Sequence, residues 1–204
     1  MARPGRSKAP AAAHPLRITS AVVSDQSADV TAAARLLDGR SVSLRRLRAD
    51  DAEAALALHQ HLSDHDRYFR FFTLQPAPLH ELVGNLTEPA ADRYALGAFD
   101  ADRLIGVAHY TVADDPHVAE VAIVVAHEDH SLGVGTALLK QLAPIARAHG
   151  IGRFVADVLG ENHLMLTVFF DLGWHCTPSD DGSIRHLEVE LPEFDEAPTS
   201  AVEV

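Results

Sequence analysis

Two features of the chain can do chemistry, and they sit close together. Glu120 is the one charged residue in an apolar run from Val118 to Ala126. Just beyond that run comes His130-Ser131-Leu132-Gly133-Val134-Gly135, at the head of an apolar-periodic segment. A strand that feeds a glycine loop and then a helix start is a ready anion site. Free backbone N–H groups point outward there, and the helix dipole favours negative charge. The glycines let the backbone approach a phosphate with no Cβ in the way. A carboxylate set among apolar strand neighbours is costly to ionise, which suits it to act as a general base. The pair therefore points to a phosphorylated ligand held beside a general base.

The elements around these residues follow from pattern. Asp38-Gly39 between Arg35-Leu36-Leu37 and Ser41–Arg45 reads as a hairpin. Asp50 with Glu53 three residues on reads as a capping box before a helix carrying Ala54, Leu58 and Leu62. Ser63 to Asp66 restarts a short helix with Tyr68, Phe69, Phe71 and Phe72, an aromatic cluster that packs the first helices or walls an acceptor site. Leu79–Leu86 reads as a further helix. Residues 94–99, 104–112 and 117–125 form three successive strands, and Asp114-Asp115 as the turn centre sets His109 opposite Glu120. A helix from Gly133 to His149 follows, with Pro144 inside it. A strand over Arg153–Leu159, a helix over Asn162–Leu172 and a hairpin over residues 174–191 complete the order. One strand–helix–strand crossover among antiparallel pairs implies a single α/β domain on a mixed sheet.

Composition narrows the class. The chain has 204 residues, 47% hydrophobic and 23% charged, which fits one globular domain of ordinary size. Its formal net charge of -12 disfavours a nucleic-acid partner. No segment approaches a membrane span, and no signal-peptide pattern opens the chain, so a cytoplasmic location and no membrane partner are expected. The single Cys176 permits no intrachain disulfide. Residues 1–33 read as a disordered tail, 34–192 as the domain, and 193–204 as an acidic tail. His59, His61 and His65 lack a carboxylate or Cys to complete a metal set, and His127-Glu128-Asp129-His130 is not a zinc helix, so no metal is expected.

The motifs resemble those of the GCN5-related N-acetyltransferase superfamily. Its Gln/Arg-x-x-Gly-x-Gly/Ala loop is matched by His130 to Gly135, with His in the first position. Its Asn-x-x-Ala-x-x-x-Tyr-x-x-x-Gly-Phe block is matched by Asn162 to Trp174, with Phe169 at the Tyr position. The segments are most similar to the acetyltransferase domain of bacterial Pat-type protein lysine acetyltransferases. Asp38-Gly39-Arg40, Tyr68 to Phe72, Ala119-Glu120-Val121-Ala122 and Val158 to Asn162 with Met165-Leu166 carry that likeness.

The resemblance implies a mostly antiparallel sheet of about seven strands flanked by helices and splayed at an acetyl-CoA site. It implies that acetyl-CoA is the acyl-donor substrate, bound by His130, Ser131, Leu132, Gly133, Val134, Gly135 and Thr136 at the pyrophosphate. Backbone of Ile123, Val124 and Val125 would pair with the pantetheine arm and offer an oxyanion donor. Asn162 would bond near the pantetheine amides, and Phe169 would pack on the arm without serving as an acid. Glu120 would be the catalytic base for direct attack by an amine, with a protein lysine as the leading acceptor. A small amine or amino acid acceptor and a non-catalytic acyl-CoA sensor are the alternatives.

Overall fold

The computed structural model describes residues 18–20, 32–72, 78–178 and 182–192, so the tails expected at residues 1–17, 21–31 and 193–204 lie outside it. In chain order the strands are β1 (Ile18–Ser20), β2 (Ala32–Arg35), β3 (Ser41–Arg46), β4 (Arg93–Asp100), β5 (Arg103–Val112), β6 (Val118–Val125), β7 (Arg153–Leu159), β8 (Cys176–Pro178) and β9 (Ile184–Glu190). The α-helices are α1 (Ala52–Gln60), α2 (Asp64–Phe71), α3 (Leu79–Thr87), α4 (Val134–Ala148) and α5 (His163–Asp171). The strands form one sheet in the order β1-β2-β3-β4-β5-β6-β7-β9-β8. All neighbours run antiparallel except β6 and β7. The mixed α/β sheet is thus the expected one, with nine strands rather than about seven. The extra length lies in short edge strands, and β1 falls inside the segment expected to be a disordered tail.

The helices cover both faces. On one face, α4 and α5 seal a core that includes Leu96, Ile105, Leu138, Leu142 and Phe154. On the other, α1 and α3 pack Leu58, Val83 and Leu86 against Phe99, Val107 and Val124. Gly97 lets that second core close, because a Cβ there would stand 2.7–2.9 Å from Phe99, Leu47 and Leu104. The carboxylate that starts α1 is Asp51, not the expected Asp50–Glu53 box. Asp51 accepts the Arg48 N–H at 2.8 Å and is held by the Arg45 guanidinium through two bonds of 2.7 Å. Residues 49–51 make a short 3-10 turn first, which moves the cap one residue along.

The α1/α2 side of the sheet also holds two histidines. His59 is buried and its Nδ1 bonds the Ala55 carbonyl at 2.8 Å. His109 receives a bond from Arg70 at its Nε2, 3.4 Å away. Burial, helped by the Arg70 charge, pushes His109 down to about 3, and burial likewise lowers His59. The folded protein therefore keeps His109 neutral where the unfolded chain would protonate it. Its folded pKa is depressed, so stability is complete above about pH 6.5 and is lost as pH falls toward 3. Urea denaturation is expected to show the native state weakened by about 2 kcal/mol at about pH 5 on this account. His109→Gln should flatten that slope, and a slope unchanged by the substitution would remove His109 as its source.

Candidate active site

The parallel pairing of β6 with β7 is short. Val118 faces Arg153, Ala119 faces Phe154 and Glu120 faces Val155, and there it ends. Beyond Glu120, β6 keeps only its β5 partner, from Val121↔Tyr110 to Val125↔Gly106. β7 from Ala156 onward pairs only with β9. The two strands part into a cleft of about 560 Å³. Its walls include the open edge of β6, Ala156 to Val158 of β7, the loop before α4, the first turns of α5, and Phe69 to Phe72 of α2.

Strand geometry decides which β6 backbone groups face this cleft. Ala126 donates to the Ile105 carbonyl at 2.9 Å and Val118 accepts from Ala113 at 2.9 Å, both toward β5. Alternate residues share a side, so the N–H and C=O of Val124 also turn to β5. Those of Ile123 and Val125, past the last β6–β7 pair, turn to the open edge. Ile123 and the N–H of Val125 thus offer backbone to a ligand and Val124 does not, although all three residues line the cleft.

The loop is shaped by backbone conformation. Ser131 and Gly133 both have positive φ, 60° and 86°. Gly133 caps α4 without a side-chain bond, and the first helical bond runs from Ala137 N–H to Gly133 O at 2.9 Å. The N–H groups of Val134, Gly135 and Thr136 therefore have no carbonyl within the helix. Gly135 serves packing: a Cβ there would lie 3.3 Å from both Ile123 and Val168. Leu132 packs against the core beneath α4, and its carbonyl accepts the Leu37 N–H at 3.0 Å. The His130 Nε2–H donates to the Val125 carbonyl at 3.0 Å, so the side chain braces the strand end it follows.

Sequence reasoning missed what fixes the loop. A 3-10 turn, His127–Asp129, links β6 to it, and Asp129 is buried with 1% exposure. Its two oxygens accept from Arg40 at 2.7 Å and Arg103 at 2.8 Å. Arg40 comes from the β2–β3 turn and Arg103 from the start of β5. The signal was present in Asp38-Gly39-Arg40, but three distant segments meet only in the fold.

The acceptor half differs from expectation in two ways. Glu120 is exposed, not buried among its apolar neighbours, because it points from the α2 face into the cleft where the strands part. His109 stands opposite Ala122, and Thr111 opposite Glu120, a register two residues from the one expected. The turn begins at Ala113, whose N–H bonds Val118, and this shifts the pairing. Arg70 is the neighbour that sequence did not single out. Burial pushes its guanidinium down to about 10 while the Glu120 charge opposes that fall, and its Nε has no hydrogen-bond partner among the described residues. Phe71 packs beside the second core, whereas Phe72 is 42% exposed at the cleft, so the aromatic run is more wall than core.

At the other wall, Asn162 accepts the Met165 N–H at 3.1 Å as the α5 N-cap, which leaves its NH₂ as a donor in the cleft lining. Phe169 is buried against Trp174, their rings 6.0 Å apart, and carries no proton to give. His59, His61 and His65 do not converge. The first two bond helix carbonyls, and the His65 ring lies tilted against Phe69 with centroids 4.0 Å apart.

A phosphate-ready loop, an open strand edge and a carboxylate in one cleft accord with what the chain is similar to. The acetyltransferase (GNAT) family model matches residues 43–174. The GNAT domain of the S. lividans PAT protein is 32% identical and superposes with a TM-score of 0.72, over 79% of this chain and 97% of that one. An acetyltransferase of Pseudomonas aeruginosa is 27% identical over 156 residues, 73% of this chain and 84% of that protein. A Salmonella typhimurium protein solved with its cofactor acetyl-CoA shares the fold at 18% identity and a TM-score of 0.59, over 78% of this chain and 98% of that one. The chain belongs to the GNAT family of N-acetyltransferases.

Proposed function

We propose that this chain transfers the acetyl group of acetyl-CoA to an amine, with a protein lysine as the acceptor. The observation that carries the reading is the parting of β6 from β7 immediately after Glu120. It puts an unpaired strand edge, a nest of free N–H groups and a carboxylate along one cleft. The pyrophosphate would lie on the N–H groups from Ser131 to Thr136, where the α4 dipole assists. His130, committed to Val125, contributes by holding the loop rather than by reaching the phosphate. The pantetheine arm would extend along the open edge as an added strand, bonding Ile123 and Val125. An N–H on that edge would face the thioester oxygen as it gains charge.

Glu120 then takes a proton from the incoming ammonium, directly or through water, which its exposure permits. The neutral amine attacks the thioester carbon, the C–S bond breaks, and the nitrogen gives its second proton to water as the amide forms. Phe169 cannot protonate the sulfur, so the thiolate leaves and takes its proton from water. The net charge of -12 favours a cationic acceptor. A small amino acid is the second reading, because the Arg70 guanidinium beside Glu120 would attract a carboxylate next to the reacting amine. Soluble location in the cytoplasm accords with an acetyl-CoA donor and belongs to this reading.

Glu120→Gln should lower kcat/KM for amine acetylation by about 10²–10⁴-fold while acetyl-CoA affinity stays within about twofold. Mass spectrometry of a lysine-peptide and amino-acid panel, with thiol release as the rate, checks both acceptor and base. Acetyl-CoA binding with no acetylated product from wild type would replace this reading with a non-catalytic sensor. Asp129→Asn leaves Arg40 and Arg103 without their shared charge. It should raise KM for acetyl-CoA about tenfold, near 1.4 kcal/mol, with kcat changed far less. An unaltered KM would mean that the loop holds its shape without that ion pair.

A further inference from the structure

Asp66, His127 and His130 come from three segments that the sequence leaves 61 and three residues apart. In the fold, one donor atom from each lies within 4.8 Å of the others. Asp66 stands on α2, His127 opens the 3-10 turn and His130 begins the loop before α4. We propose that these three side chains form a binding site for a divalent transition cation of the zinc class. This inference does not depend on acetyl transfer.

The chemistry of the set supports it. Two imidazoles and one carboxylate suit zinc and its neighbours, whereas magnesium and calcium ask for oxygen ligands. His130 has one ring nitrogen to offer as a ligand. A carbonyl only accepts, so its Nε2 must carry the proton that bonds Val125 at 3.0 Å. In the neutral ring this leaves the Nδ1 lone pair free, and a backbone carbonyl on the far nitrogen is the usual support of a metal-bound His. Asp66 is supported too: the Ser63 hydroxyl donates to its Oδ2 at 2.7 Å. Its side chain is only 12% exposed, while His127 is 72% exposed. The His127 Nδ1–H and Asp66 Oδ2 now share a hydrogen bond of 3.1 Å. A cation would take the place of that proton and use the same two atoms.

Three protein ligands leave a fourth position for water or an anionic group. The location gives occupancy a consequence. α2 supplies Phe69 to Phe72 on one wall of the cleft, and His130 belongs to the loop on the other. A cation here joins the two, so the bound form should be the more heat-stable one.

The test is titration of the tag-free, chelator-treated full chain with ZnCl₂ by calorimetry, without acetyl-CoA. One equivalent should bind with micromolar affinity and raise Tm. His127→Ala and Asp66→Asn should each weaken that event by about tenfold or more, and His163→Ala should not. Co²⁺ should give the visible bands of a four-coordinate site without thiolate charge transfer. Since His127 is largely exposed, its variant is expected to fold, and circular dichroism verifies this. Absence of a saturable event overturns the proposal. So does zinc binding that survives both substitutions, which would be adventitious binding by other surface histidines.

Discussion

Everything functional in this molecule depends on where one parallel strand pair stops. β6 and β7 share three residue pairs and then diverge. A parallel neighbour reached by a crossover helix starts from one point, and the right-handed twist of each strand rotates them apart unless the register is kept. Here α5 and the loop before α4 line the opening between them. Had the pairing run on to Val125, the N–H and C=O of Ile123 and the N–H of Val125 would be spent on β7. The same break exposes Glu120 at the fork, so the donor edge and the carboxylate arise from a single geometric event.

A fork of this kind needs its loop held from outside, because β7 no longer pairs with β6 there. The fold answers with contacts from far away in sequence. The Leu37 N–H bonds the Leu132 carbonyl, and Arg40 and Arg103 close on the buried Asp129. One carboxylate shared by two guanidiniums resists rotation about either bond, and its 1% exposure removes competing water. His130 adds a brace back to Val125. The two positive-φ residues, Ser131 and Gly133, can then keep a conformation that an unrestrained chain would leave. Ser131 is the costlier of the two, having a Cβ.

Local signals in the sequence were enough for the elements and for the loop. Gly133 and Gly135 behind an apolar strand, and Asn162 ahead of a helical block, each act within a few residues, where period and turn chemistry decide the outcome. What depended on three dimensions did not show. The role of Asp129 needs two turns that lie 89 and 26 residues away. The exposure of Glu120 follows from the absence of a neighbour, which no window along β6 records. The shift of His109 from Glu120 to Ala122 turns on where a single hairpin bond forms, at Ala113. Val124 shows the finest limit: it lies between two residues with usable backbone, and strand parity alone removes it.

The acceptor side is electrostatically unlike the donor side, and this shapes what can enter. On the proposed reading the donor half would rely on backbone dipoles, which need no titration and stay constant with pH. The acceptor half holds Glu120 beside a guanidinium desolvated by its surroundings and supported by a histidine that stays neutral. A neutral His109 accepts from Arg70; a protonated one would repel it and push α2 off the sheet. The depressed basicity of His109 is therefore what lets a cation sit next to the carboxylate without a second positive charge beneath it. α2 itself buries no residue fully, so this polar contact, the Asp66–His127 bond and the packing of Phe71 help seat it over the sheet. The wall that an acceptor meets is thus held by the same charges that the acceptor would sense.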